Sequence, residues 1–482
     1  MDTQLLLTFL SLVIIFLWHW LLRNKHSPIY QWPFLGMLPG LLLSIYNSTL
    51  HDFCTRALRR ARGTFLFKGP SFINADFTVT SDPANINHIF NKNAANYDKG
   101  RDFNAIMEFM GDGIFNVDGE SWKFQRKLLH SLLHNPEFKG HAMETLERKM
   151  LSTLLPVLDR AADEAALDIQ DVFKRFMFDN MCLLVFGFDP QYLLPVGSKG
   201  ASLLDCACGN AFDELWEVVI YRFGVPMCVW RLQRRLKIGR EWKFIQAWTT
   251  LDQLLYGSII RKRQELATKN SVENDEHKRN KLDLLTQILV MKDEDDGGDQ
   301  KIIDKTLDKF LRDTAFTLIA AGRDTVAAGL TWLIWCVANH PVVQKRILEE
   351  LKQVMAVRLS SAIDDGQESG GFLRNDELNK LVYLQATVCE TMRLYPPVLF
   401  EQKSALEADV LPSGHTVRKE ERIIFSIYAM ARMEEIWGED CLEFKPERWI
   451  YDKGTILHVP SYKFMTFLTG ARTCLGKNMS FT

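Results

Sequence analysis

No charge of one sign dominates this chain of 482 residues: 58 Lys and Arg stand against 60 Asp and Glu, a formal net charge of −2. That balance removes the global basic surface on which nucleic-acid binding depends, so no nucleic-acid partner is expected. Paired cysteines are missing too. The nine cysteines (54, 182, 206, 208, 228, 336, 389, 441 and 474) are odd in number and scattered. This excludes a disulfide framework and fits a reducing compartment. Cys206 and Cys208 are the only close pair, with no histidine or second pair nearby to complete a metal site.

Charge is also missing locally. Gln4 to Leu22 is an uncharged, mostly apolar run of 19 residues, near the ~20 that span a bilayer as a helix. It lacks the basic start, short apolar core and small-residue cleavage site of a signal peptide. Asp2 precedes it, and Arg23, Lys25 and His26 follow. We therefore expect a single-pass anchor over residues 1–24 with the rest of the chain in the cytosol. Residues 25–41, with Trp32-Pro33-Phe34-Leu35-Gly36-Met37-Leu38-Pro39-Gly40, read as a stiff hinge.

Beyond the hinge, Gly63 to Gly69 and Phe77 to Ser81 set β-branched and aromatic residues between turn formers, which suggests a small sheet. From Met143 to about Lys269, apolar positions recur at helical spacing, as at Leu151, Leu154, Leu155 and Leu158. Within that region Trp230 to Arg240 is basic with interleaved apolar residues, either a solvated helix face or a contact with lipid headgroups. Lys269 to Asn280 and Asp293 to Asp299 are polar and unpatterned, and read as exposed loops.

Ile302 to Asn339 is the longest helical pattern, almost wholly apolar from Thr314 onward. Arg323 and Asp324 near its centre would be expensive in lipid, so a helix buried in a globular body is expected instead of a second span. Around that pair, Gly322 removes a side chain where a small ligand could sit. The Thr325 hydroxyl can turn back into the helix ladder and distort it locally. Near the C-terminus, Cys474 is flanked by Gly470, Arg472 and Gly476. Glycines permit tight turns and close approach to a flat ligand, and expose the sulfur and neighbouring N–H groups. A helix begun by Gly476 to Phe481 would add its dipole in favour of the thiolate.

The pattern Phe467-x-x-Gly470-x-Arg472-x-Cys474-x-Gly476 resembles the haem-ligand loop of the cytochrome P-450 superfamily. There the cysteine thiolate is the axial iron ligand and favours O–O cleavage. Three further stretches, in the family's order, extend the resemblance. Trp122 and Arg126, four apart on one helix face, are similar to the pair that hydrogen-bonds a haem propionate. Ala320-Ala321-Gly322-Arg323-Asp324-Thr325 is similar to the oxygen-binding motif, although Val326 stands where Thr or Ser is commoner. Glu390-x-x-Arg393 with Pro446-Glu447-Arg448 resembles the charge network that fixes the cysteine loop.

The resemblance implies a mainly α fold with small β-sheets (α+β): one large helical haem-thiolate domain over 42–482, in place of the three domains that length alone suggests. Haem b is the implied cofactor, fed by NADPH through a cytochrome reductase that would dock on Lys123, Lys127 and Lys477. Asp324 and Thr325 would deliver protons. Phe316, Ile319, Ala320, Val398 and Phe400 are candidate substrate-pocket residues, and Gln402 or Lys403 stands where a propionate partner is expected. Asn96-Tyr97-Asp98-Lys99-Gly100, Asp112-Gly113-Ile114-Phe115-Asn116-Val117-Asp118-Gly119 and Ala429-Met430-Ala431-Arg432-Met433 look like the plant clan that hydroxylates fatty acids and wax alkanes. The implied reaction oxidises a C–H bond of a long apolar substrate at the endoplasmic reticulum membrane. Relatives continue past Thr482 through a complete helix and a hairpin, so the domain is expected to lack its C-terminal end. Two alternatives follow: a truncated paralogue with weak or no haem binding, and a hydroperoxide isomerase or lyase.

Overall fold

The computed structural model describes residues 11–481, except 12, 16, 17, 19, 22, 23, 26, 71–74, 165, 194–202, 270–282, 294–299, 366–372 and 453. Much of the apolar run 4–22 and most of the two polar stretches expected as loops therefore lie outside the described residues. Among the described residues no single helix is long and apolar enough to cross a membrane. The chain divides by its internal contacts into two units. One comprises Met1–Gly100, Cys389–Trp449 and Leu457–Cys474, and the other comprises Arg101–Val388, Ile450–Ile456 and Leu475–Thr482.

The first unit is built on a mixed sheet. After helix α1 (Leu50–Arg60), β1 (Thr64–Phe67) and β2 (Phe77–Thr80) pair antiparallel, as their β-branched and aromatic content predicts. Five more short strands follow: β3 (Tyr97–Asp98), β4 (Phe400–Ala405), β5 (Asp409–Val410), β6 (Thr416–Val417) and β7 (Arg422–Ser426). Five of the seven form one sheet in the order β1-β2-β7-β4-β3, and β5 pairs with β6. β2 lies parallel to β7, with Val79 opposite Ile424. Phe425 is fully buried and meets the Phe90 ring edge-on at 5.0 Å, so burial of that one side chain contributes about 1.5–3 kcal/mol.

The second unit is helical. Its main helices are α2 (Gly119–His134), α3 (Ile169–Phe186), α4 (Leu203–Gly224), α5 (Gly239–Lys269) and α6 (Gln300–Asn339). Local chemistry sets their ends. Asp168 accepts the N–H groups of Gln170 and Asp171 at the start of α3, and Gly187 closes it with φ 76°. Aromatic rings interlock in the core: Phe109 is edge-on to Trp216, Phe244 and Phe316, and Phe212 stacks on Phe316 at 5.3 Å. α6 runs unbroken for 40 residues through this core.

A carboxylate knot pins β5 in the first unit. Asp409 Oδ2 accepts from Tyr97 Oη at 2.5 Å, His88 Nε2 at 2.8 Å and Asn93 Nδ2 at 3.0 Å. Burial pushes the Asp409 carboxyl up, but these hydrogen bonds outweigh it and hold the group down at about 2. A depressed carboxyl stabilises the fold above its ordinary range, and that contribution fades as pH falls from about 4 towards 2. Melting temperatures measured across this window should drop for the native chain, and Asp409→Asn should flatten the drop.

Candidate active site

A buried charge network organises the segments that lead to Cys474. Helix α7 (Val382–Leu394) ends where Pro396 and Pro397 follow, since proline cannot extend it. Its C-terminal half carries Glu390 and Arg393, both fully buried, and two parallel bonds join them: Arg393 Nε to Glu390 Oε2 at 2.7 Å and Nη2 to Oε1 at 2.8 Å. Arg393 spends its remaining donors on the carbonyls of Ala431, Cys441 and Glu443. Glu390 in turn accepts from Trp449 Nε1 at 2.9 Å, Lys445 N at 3.0 Å and Arg448 Nε at 3.4 Å. Arg448 continues to Asp440, whose carboxyl the Lys445 and Arg448 bonds hold at about 2.

The cysteine loop hangs from this frame. Thr466 Oγ1 donates to Met392 O at 3.0 Å. Leu468 and Gly470 then both take positive φ, at 58° and 71°. Only glycine fits at 470, because a Cβ there would lie 2.2 Å from the Phe90 carbonyl oxygen. Thr473 Oγ1 closes onto Gly470 O at 2.7 Å, and Cys474 N donates to Phe467 O at 2.9 Å. Phe467 is buried, Arg472 is partly buried, and Cys474 is exposed and in no disulfide. The expected helix after Cys474 is corrected: the backbone past Gly476 forms turns and a three-residue 3₁₀ segment, Asn478–Ser480. Among the described residues no α-helix follows Cys474 to set its dipole on this thiol. In residues 475–481, Leu475 and Met479 are partly buried and pack against the apolar core of the helical unit.

In the helical unit, α6 carries the polar interruption. Thr325 Oγ1 donates to Ala321 O at 2.6 Å, as expected for a threonine turned into its own helix, yet the helix stays continuous. Arg323 is buried and donates to Asp213 Oδ1 at 2.9 Å, Gly209 O at 3.2 Å and Asp324 Oδ1 at 2.6 Å. Trp216 Nε1 donates to the other oxygen, Asp324 Oδ2, at 2.8 Å. Burial pushes the Asp324 carboxyl above its ordinary range, and Arg323 pulls only part of the way back. The niche expected beside Gly322 is corrected: a Cβ there would lie 2.3 Å from Met181 Sδ, so α3 already fills the space. Phe316, Ile319 and Ala320 are fully buried core residues.

Trp122 and Arg126 share one face of α2 and are both partly buried. Val398 is exposed, while Phe400 opens β4 and stacks on His51 at 5.2 Å. Gln402 is buried on β4 with neither amide atom bonded, whereas Lys403 Nζ reaches Tyr97 O at 3.4 Å. Lys123 pairs with Glu120 on the exposed side of α2. Sequence reasoning missed Trp216, Asp213 and Trp449. Trp449 adjoins the quoted Arg448 and could have been read with it; the other two carry no local signal.

Removing one partner of a buried ion pair strands the other. Arg393→Leu should therefore lower stability by about 3–5 kcal/mol in urea unfolding, whereas Lys123→Ala, at an exposed pair, should change it by less than about 1 kcal/mol.

Comparison with known proteins agrees with these motifs. The family model described as Cytochrome P450 matches residues 27–481. Alkane hydroxylase MAH1 of Arabidopsis thaliana is 39% identical over 477 residues, covering 98% of this chain and 89% of the relative. Noroxomaritidine synthase 2 of Narcissus pseudonarcissus is 39% identical over 460 residues, 95% of this chain and 84% of the relative. Cytochrome P450 86B1 of Arabidopsis thaliana is 35% identical over 482 residues, 100% of this chain and 82% of the relative. With its motifs in order and the match running almost end to end, the chain belongs to the cytochrome P450 family of haem-binding monooxygenases.

Proposed function

We propose that this chain is a haem-thiolate monooxygenase that hydroxylates a long apolar substrate, a fatty acid or an alkane, with Cys474 as the axial iron ligand. The Cys474 loop carries the reading: an exposed thiol outside any disulfide, on a turn where Gly470 leaves no room for a Cβ. The unbonded buried amide of Gln402 is a further polar group suited to a ligand. Phe467, Gly470, Arg472 and Gly476 would seat the haem, and Trp122 and Arg126 would offer donors to a propionate. Bound haem would supply the activation of dioxygen, in the balance R–H + O2 + NADPH + H⁺ → R–OH + H2O + NADP⁺.

The protein's own task is then to handle protons. Burial keeps a proton on Asp324 to higher pH than an ordinary carboxyl would allow, which favours a general-acid role. Thr325 Oγ1 donates to Ala321 O and keeps its lone pairs, so it can accept from a water that carries the Asp324 proton.

Residues 42–482 would form the catalytic domain, joined by the 25–41 hinge to an anchor at 1–24 in the endoplasmic reticulum membrane. The helix Met227–Leu236 supports contact with lipid. Trp230 is buried, while Leu232, Leu236 and the following Ile238 are exposed beside Arg231, Arg235 and Lys237. An alkane hydroxylase among the relatives supports the substrate class. Electrons would come from a reductase docked at Lys123, Lys127 and Lys477.

Reduced protein exposed to carbon monoxide should show the Soret band of a thiolate-ligated haem, and Cys474→Ala should abolish it. Native protein without that band, whether or not it binds haem, would sink the reading. Thr325→Ala should lower product formed per NADPH consumed by about tenfold, a change of ~1.4 kcal/mol in how the reaction partitions; unchanged coupling would remove Thr325 from proton delivery.

A further inference from the structure

We propose that Trp216, on α4, is a positioning residue for Asp324, on α6, holding the acid's carboxyl in one place from which its proton is released. The inference rests on the assignment of Asp324 as proton carrier made above. The indole Nε1 of Trp216 donates to Asp324 Oδ2 at 2.8 Å, and Arg323 Nη1 donates to Oδ1 at 2.6 Å. Each carboxyl oxygen thus has its own donor, one neutral and one cationic. The ring is fixed in turn, since Trp216 stands edge-on to the fully buried Phe109 at 5.8 Å and 89°.

Clamping α4 to α6 does not require this bond. Arg323 already ties the helices through Asp213 Oδ1 and Gly209 O, and Phe212 stacks on Phe316 between them. What the indole adds is direction. An indole N–H can only donate, so it favours the ionised carboxyl and eases departure of the proton. The other charged groups acting on Asp324 are Arg323 on its own helix, Asp213 on α4 and Lys174 on α3. Burial raises the carboxyl most, Arg323 and Lys174 lower it, Asp213 raises it, and the Trp216 bond lowers it.

Trp216→Phe keeps an aromatic ring against Phe109 and removes only the donor. In infrared titration of the protonated carboxyl band, identified by subtracting the Asp324→Asn spectrum, it should move the Asp324 midpoint up by about one pH unit. Trp216→His, which keeps a ring N–H, should bring the midpoint back towards the native value. In turnover, Trp216→Phe should lower product per NADPH about threefold at neutral pH and shift the alkaline limb of coupling upward. If Trp216→Phe titrates and couples like the native enzyme while Asp324→Asn uncouples, Trp216 is packing only and this inference falls alone. If Asp324→Asn couples normally, Asp324 carries no proton to the reaction and both assignments fall.

Discussion

The paired bonds between Glu390 and Arg393 hold the first unit in order. Between Ala431 and Trp449 the chain has little regular structure, so its backbone polar groups find few partners in helices or strands. Arg393 supplies donors to three carbonyls of that stretch, while Glu390 receives Lys445 N and the Trp449 indole. A single buried pair thus replaces a ladder of backbone bonds. Such a pair does not have to raise net stability; its value here is to give an irregular segment one conformation. The turn that displays Cys474 inherits that order through Thr466 and Met392.

The helical unit solves the opposite problem. α6 is apolar enough to be packed anywhere, and its one polar stretch assigns it a neighbour. Arg323 and Asp324 find their partners on α4, and Met181 of α3 fits against the bare backbone at Gly322. Charge and the missing side chain together set where two helices meet the third. The raised affinity of Asp324 for its proton is a by-product of the same burial.

Local patterns in the sequence carried the helices, the first two strands and the ligand turn. The pattern that begins at Ile302 becomes a helix starting at Gln300, and Gly63 to Gly69 contains β1. Contacts between distant segments did not show. Nothing near Thr78 or Val79 announces β7, because a parallel partner can come from any later part of the chain. The glycine at 470 signals a tight turn, but its closest neighbour, the Phe90 carbonyl, belongs to another segment. Asp324 is legible as an acid beside an alcohol; its hydrogen bond to Trp216 depends on how two helices rotate against each other. The errors share a cause. Residues 476–481 suit a helix locally but take turns and a short 3₁₀ segment, and Gly322 leaves a gap that Met181 then fills.

The parallel pairing of β2 with β7 bears on biosynthesis. β1 and β2 leave the ribosome early, but the strands that complete their sheet, β4 and β7, lie at residues 400–426. Until then the free edge of β2, which carries Val79, buried in the folded chain, lacks its partner β7 and can pair with other chains. Long-range closure of this kind is slow. The helical unit, drawn mainly from the continuous run Arg101–Val388, is free to condense while the earlier unit waits. The sheet begun by the earliest strands therefore cannot be completed until residues 400–426 have been made.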